Sequence, residues 1–156
     1  MQKPVLIRRL ADDDVAAVHA IQVKCPLAAQ WRAEDYFHLA RNPGGTVLVV
    51  ELEGARPPEI VGFVAIHRVS DEAELRNIAV APSHQRRGIA GALVAEALRI
   101  LRGDGVKSAF LEVRASNQPA LALYTSAGFR PLYTRREYYR DPVEDALVLA
   151  CDFLPT

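Results

Sequence analysis

Cysteine, methionine and tryptophan are all scarce in this chain: two Cys, one Met and one Trp in 156 residues. Cys25 and Cys151 stand far apart and form no metal-spaced pair, so the plain reading is two buried or half-buried thiols. His19, His38, His67 and His84 also lie at no ligand spacing, and no metal site is expected. An excess of charge of either sign is missing too. Lys plus Arg (19) equals Asp plus Glu (19), which leaves no global field to draw in nucleic acid. No apolar stretch approaches the length of a membrane span, and the first ten residues, M-Q-K-P-V-L-I-R-R-L, hold no apolar leader core. Neither membrane nor nucleic acid is therefore expected as a partner, and the cytoplasm is the expected location. Internal repeats and low-complexity segments are absent as well. With half the residues hydrophobic and 24% charged, the composition is that of a globular chain, of a length that suits one domain over 1–156.

Periodicity supplies the elements. Val5 to Arg9 reads as a strand, and Asp12-Asp13-Asp14 opens a helix through Val15, Val18, Ile21 and Gln22 that ends before Pro26. A second helix, about Ala33 to Arg41, is stopped by Asn42-Pro43-Gly44-Gly45. Trp31, Tyr36 and Phe37 either wall a substrate or pack this helix onto a sheet. Thr46 to Glu51 and Ile60 to His67 form an antiparallel hairpin around a Pro-Pro loop, followed by a strand Glu74 to Val80. Ile89, Leu93, Ala97 and Leu101 recur at intervals of four, with Val94 and Leu98 beside them, and so give a helix with one broad buried face. Ser108 to Val113 then reads as a strand parallel to Glu74 to Val80, apolar on both sides and therefore expected to be covered on both. Asn117 and Pro119 suit the cap and first turn of a further helix that ends at Gly128; Phe129 to Tyr139 and Asp145 to Phe153 close the chain as strands. This is an α+β order.

The stretch Asn77 to Ala95 is the most informative. A strand ends at Pro82, and Gln85-Arg86-Arg87-Gly88-Ile89-Ala90 leads straight into a helix whose first N–H groups lack partners and favour an anion. Gly88 and Gly91 let a ligand approach the backbone without meeting a Cβ, so a phosphate or pyrophosphate is the expected guest. The dinucleotide pattern G-x-G-x-x-G and the P-loop G-x-x-x-x-G-K-[ST] are both absent. Elsewhere, Glu112 sits inside the apolar strand S-A-F-L-E-V-R. Desolvation there would lift its pKa from about 4.3 toward that of a base useful at neutral pH, while a salt bridge to Arg114 or another Arg is the structural alternative. Tyr124, by its position alone, is a core aromatic. His84 reads either as a phosphate contact or as a solvated loop residue.

Q-x-x-G-x-A after a strand ending I-A-V-A-P resembles the acetyl-CoA signature of the GCN5-related N-acetyltransferases, the GNAT superfamily. Downstream, L-E-V-R-A-S-N-Q-P-A-L-A-L-Y-T-S-A-G-F-R and R-R-E-Y-Y-R look like its RimI-type branch, bacterial enzymes that acetylate the N-terminal alanine of a small-subunit ribosomal protein. The resemblance covers about residues 74–150. It implies acetyl-CoA as co-substrate, held by Ile78, Ala79, Val80, Gln85, Arg86, Arg87, Gly88, Ile89, Ala90, Gly91 and Asn117. It also implies Glu112 as general base and Tyr124 as general acid, with no metal. Trp31, Tyr138 and Tyr139 would line the acceptor site, although Tyr138 and Tyr139 also read as paired edge-strand aromatics. The implied fold is the GNAT fold: a mixed, mostly antiparallel sheet that splays beside Glu74 to Val80, with helices on both faces.

The chemistry agrees with this. Only a neutral amine attacks a thioester, so a base must remove its proton, and backbone N–H groups at a splayed strand end near Val80 would stabilise the oxyanion. An α-amino group, with a pKa roughly 2.5 units below that of lysine, is easier to deprotonate by about 3.4 kcal/mol. The acceptor is thus expected to be a protein or peptide N-terminus, a ribosomal protein among the candidates. The connection C-P-L-A-A-Q-W departs from the F-P-W segment of that branch, which keeps two alternatives open: acetylation of a small amine (polyamine, amino acid or antibiotic), or a catalytically silent acyl-CoA-binding module.

Overall fold

In the computed structural model, which describes residues 4–153, the strands are neighbours in sequence order except at the C-terminal end, where the last strand inserts beside the fifth. The outermost residues of the expected 1–156 domain lie outside the described part. The described residues hold β1 (Val5–Arg9), α1 (Val15–Val23), α2 (Ala33–Arg41), β2 (Gly45–Leu52), β3 (Glu59–Val69) and β4 (Glu72–Val80), followed by α3 (Ile89–Gly103), β5 (Ser108–Arg114), α4 (Gln118–Ser126), β6 (Arg130–Tyr139) and β7 (Glu144–Asp152). Short 3-10 turns at Asp12–Asp14 and Pro82–His84 precede α1 and α3. The strands form a single sheet in the order β1-β2-β3-β4-β5-β7-β6, antiparallel except for β4 with β5.

The helices cover opposite faces of the sheet. α1 and α2 lay Val18, Ile21, Tyr36 and Leu39 on Val47, Val49, Phe63, Ala65 and Ala79. α3 buries Ile89, Leu93, Val94, Ala97, Leu98 and Leu101 in a second cluster, which also takes in Val64, Leu75, Leu111, Tyr124 and Leu149. The interval-of-four pattern in α3 is therefore a core stripe. Asp14 does not simply complement a helix dipole. Its carboxylate accepts hydrogen bonds from Arg8 Nη1 at 2.6 Å and from the Ala11 N–H at 2.7 Å, which ties β1 to the first turn.

The feature that builds the site is the short β4/β5 ladder. These strands pair only at Glu72, Ala73 and Glu74 against Ser108, Ala109 and Phe110. Beyond them β5 continues along β7 as far as Arg114, β4 continues along β3 as far as Val80, and a wedge opens between the two. In the β3/β4 ladder Ile66 faces Leu75 and Ala65 faces Asn77, which leaves Arg76 as an extra, bulged residue. The bulge reverses the side-chain phase of β4. Ala73 and Leu75 point to the α3 cluster, whereas Asn77 and Ala79 point to the α1/α2 side.

Candidate active site

At the end of β4 the chain turns through Pro82–His84 and enters α3 with Gly88 at φ +78° as its cap residue. Arg86 is also left-handed, at φ +64°. Gly88 suits a position that a residue with a Cβ adopts only at a cost, and an added Cβ there would have no neighbour within 4 Å, so the space beside it is open. The Ala92 N–H bonds the Gly88 carbonyl at 3.0 Å, and the N–H groups of Ile89, Ala90 and Gly91 precede that first helical bond. Gln85, Arg86 and Arg87 are exposed around this end, and a recess of about 170 Å³ lies there between His84, Arg87, Ile89, Val5 and Leu52. Ile89 itself is buried, and its side chain belongs to the core. Gly91 lies where α3 passes α4: a Cβ there would sit 3.7 Å from Leu123 Cδ1. Gln85 Nε2 donates to the Val80 carbonyl at 3.0 Å and so braces the turn against the strand end. Ser83 Oγ and His84 Nδ1, 2.9 Å apart, are hydrogen-bonded to each other.

Along the wedge, β4 presents Ile78, Ala79 and Val80, whose backbone has no strand partner on the β5 side. An extended amide chain can pair there. The bulge, the free strand edge and the helix N-terminus thus form one continuous track.

Glu112 stands on the α1/α2 face of β5, because Ala109, Leu111 and Val113 take the buried alternation. The strand is not covered on both sides as the apolar run suggested. Phe110, Glu112 and Arg114 are half-buried on a face that no helix covers, since α1 and α2 pack over β2, β3 and the far end of β4. Nor is Glu112 a desolvated lone carboxylate: it accepts a hydrogen bond from Arg135 Nη1 at 2.5 Å. The salt-bridge alternative holds, with Arg135 on β6 as the other arginine. Arg114 instead pairs with Glu144 at 3.4 Å. Arg135 also lies 4.2 Å over the ring of Tyr138, as Arg114 lies 4.3 Å over that of Tyr139. The two tyrosines meet edge-on at 5.2 Å, so pairing and proximity to Glu112 both hold. The Tyr138 hydroxyl is pushed up by hydrogen bonding with Glu112 and then by burial; burial, followed by the charge of Glu112, pushes Tyr139 up to about 12. On the same face a cavity of about 290 Å³ is lined by Glu72, Glu74, Glu112, Phe110, His67 and Tyr133.

Tyr124 occupies the other face. It is 6% exposed, packs edge-on against Phe129 at 5.8 Å and shares the core cluster with Val80 and Val113, the strand ends that flank the wedge. Burial raises its hydroxyl pKa above the ordinary value, which keeps it a proton donor at any physiological pH. Asn117 caps α4: its Oδ1 accepts from the Ala120 N–H at 3.3 Å, so the side chain has a structural task whatever else it touches. Trp31 is half-buried, with its ring 5.0 Å from Tyr36; it belongs to the packing of α2 and also borders the α1/α2 connection.

The Acetyltransferase (GNAT) family profile matches residues 15–129. The chain belongs to this family. It is an acetyl-CoA-dependent N-acetyltransferase, with the mixed α+β fold and splayed sheet that the sequence resemblance implies. It is similar to the ribosomal protein bS18-alanine N-acetyltransferase of Escherichia coli K12, with 37% identity over 146 residues, 92% of this chain and 95% of that one. The crystal structure of the E. coli ribosomal-protein-S18-alanine N-acetyltransferase superposes with a TM-score of 0.84 at 32% identity, covering 98% and 96% of the two chains. A chimera of the Vibrio cholerae spermidine N-acetyltransferase SpeG and hSSAT superposes with a TM-score of 0.82 at 20% identity, covering 95% of each chain, a likeness of fold alone.

Sequence reasoning missed three groups at this site. Arg135 lies in R-R-E-Y-Y, a motif read for its tyrosines. Glu72 and Glu74 alternate outward on β4, and nothing in their local pattern sets them apart from other exposed charges. Asn77 and Gln22 are polar residues inside apolar patterns, which was the available signal. The described residues hold no helix long and apolar enough to cross a membrane, and no group of three or more His, Cys, Asp or Glu placed to hold a metal ion.

Proposed function

We propose that this acetyltransferase acts, as one domain in the cytoplasm, on the N-terminal α-amino group of a protein, with the alanine terminus of ribosomal protein S18 as first candidate. The observation that carries the reading is the wedge itself: a carboxylate on one face, a protonated phenol on the other, and an anion-binding helix end continuing from the shared strand. The exposed N–H groups of α3, together with Gln85, Arg86 and Arg87, would hold the pyrophosphate of acetyl-CoA. Ile78, Ala79 and Val80 would run beside the amide arm, and the N–H groups of Ile78 and Val80, which alternate away from β3, would receive the charge that develops on the thioester oxygen. Glu112 would take a proton from the acceptor ammonium, directly or through one water. The neutral amine would then attack the thioester carbon; as the C–S bond breaks, Tyr124 would hand its proton to the departing sulfur, and the second proton of the new C–N nitrogen would pass to solvent, from which Tyr124 is reprotonated. No covalent enzyme intermediate and no metal is required by this sequence of proton transfers.

Glu72, Glu74 and Glu112 line the acceptor cavity, with Arg135 paired to Glu112, a lining that suits a cationic acceptor despite the neutral total charge. Tyr133, 57% exposed, lines that cavity at its solvent side, which favours an extended peptide over a small enclosed amine. The relative named for bS18 alanine points the same way. A panel of peptides differing in the first residue, incubated with acetyl-CoA and read by thiol release and mass spectrometry, tests this. Acetylation confined to the α-amine of Ala-initiated peptides is the expected result. Turnover of spermidine or of lysine side chains alone would overturn it, and binding of acetyl-CoA without any turnover would support the silent-module reading.

A further inference from the structure

We propose that Asn77 is a positioning residue that clips the α1–α2 connection into place as a fixed wall of the acceptor groove; this rests on the acceptor reading above. Asn77 is 5% exposed within an apolar strand, where an unpaired amide would be costly. Its groups are all used. Oδ1 accepts from the Ala29 N–H at 3.0 Å, and Nδ2 donates to the Ala29 carbonyl at 2.9 Å, so the side chain pairs with the connection much as a neighbouring strand would. The same Nδ2 donates to the Tyr36 hydroxyl at 2.8 Å, and that hydroxyl donates to Gln22 Oε1. Gln22, 1% exposed, then donates through Nε2 to the Trp31 carbonyl at 2.8 Å.

The result is a closed circuit that grips the connection at two points, Ala29 and Trp31, and anchors both to β4 immediately after its bulge. Burial pushes the Tyr36 hydroxyl far up, so the circuit keeps its protons and its geometry through the working pH range. Asn77 reaches the connection only because the Arg76 bulge turns it to the face that carries Glu112. The strand that lines the coenzyme track therefore also fixes the opposite wall of the acceptor site. Without the clip, Ala29 to Trp31 would keep, among the described residues, the Trp31–Tyr36 ring contact and the bonds from Gln30 Nε2 to the Ala28, Cys25 and Gln22 carbonyls.

Trp31 is the single tryptophan of the chain, so its fluorescence reports this wall directly. Asn77→Ala is expected to raise acrylamide quenching of Trp31 severalfold and to raise KM for an Ala-initiated peptide about tenfold, while kcat and the acetyl-CoA Kd stay within about twofold. It should also narrow the preference between Ala-initiated and bulkier N-termini. Tyr36→Phe, which cuts the link to Gln22 but spares the Asn77–Ala29 pair, should give a smaller shift of the same sign in both readouts. Unchanged Trp31 quenching in a folded Asn77→Ala protein would overturn the clip, whatever the substrate proves to be. Increased quenching with an unchanged peptide KM would overturn its role in the acceptor groove. Failure of the wild-type protein to acetylate any peptide would instead refute the functional reading on which that role depends.

Discussion

Two tyrosines are buried in this chain, and the same substitution should affect them in opposite ways. Tyr124 is 6% exposed and its hydroxyl has no hydrogen-bond partner among the described residues, so Tyr124→Phe keeps the packed ring and leaves no group unpaired. A stability change within about 1 kcal/mol follows. Tyr36 is fully buried and its hydroxyl serves both Gln22 and Asn77; removing it leaves Gln22 Oε1 without a donor, at a cost of about 1–3 kcal/mol. For a protein of this size that corresponds to a Tm lower by about 2–4 °C per kcal/mol. If Tyr124 is the general acid, its substitution should lower kcat by roughly 10²–10⁴ with no matching loss of stability. The pH dependence gives a second check. A leaving thiol with a pKa near 8.5 needs a proton below that value and little help above it, so the deficit should shrink between pH 7 and pH 9.5. Tyr124, held protonated by burial, still donates across that interval in the wild type. Thiol release at both pH values, beside thermal melts of both variants, tests the argument. Tyr124→Phe activity within about twofold of wild type at pH 7, or a loss that tracks unfolding, would reduce Tyr124 to a core aromatic.

The remaining expectations concern the other face, the helix end and acid stability. Glu112→Gln should reduce kcat by about 10²–10⁴ with acetyl-CoA affinity retained, most severely below the pKa of the α-amine near 7.7–8.0, where proton removal is required; loss of acetyl-CoA binding, measured by calorimetry, would instead make the residue structural. Arg86→Gln and Arg87→Gln should each weaken acetyl-CoA binding roughly tenfold to hundredfold, with the wild-type affinity falling as salt rises, because these exposed side chains have no ion-pair partner among the described residues. Titration of stability will probe Asp14, for which burial pulls the pKa up but the Arg8 and Ala11 hydrogen bonds outweigh it and hold it below 3.8. A carboxylate depressed in this way contributes stability above its unfolded value and loses it as pH falls through the folded one. Melts should therefore decline from about pH 3.8 downward, and Arg8→Gln should flatten that decline.

Much of the molecule is legible from residue order. The interval-of-four stripe from Ile89 to Leu101 predicts a helix with one buried face, and each of those residues is in the core. Pro82, Gly88 and the basic turn mark a helix end suited to an anion because the conformational demand is local: Gly88 sits at φ +78°. The short loops set the antiparallel order of β2, β3 and β4 for the same reason. Glu112 reads as a carboxylate in an apolar strand that is either desolvated or paired with an arginine, and the second alternative holds through Arg135; what the sequence hides is which arginine, and that no helix covers this face. The alternation of β5 shows which residues share a face, not whether anything covers that face, and Arg135 is 23 residues away along the chain. Tertiary pairing of this kind has no signature in local periodicity.

The deeper obstacle is the bulge at Arg76. A strict alternation through E-A-E-L-R-N-I-A-V places Ala73, Leu75, Asn77 and Ala79 on one face, where Asn77 would be a buried amide with no partner. One inserted residue divides them, two toward α3 and two toward α1 and α2, and the amide meets Ala29 and Tyr36. The change of phase comes two residues after Glu74, the last β4 residue that pairs with β5, so the wedge opens beside the point where the strand changes hands. The coenzyme track, the face that bears Glu112 and the clip on the acceptor wall thus share one local departure from regular strand geometry. The one hint of it in the sequence is an asparagine that a regular strand would leave unsatisfied, which makes Asn77 the most telling residue of the stretch.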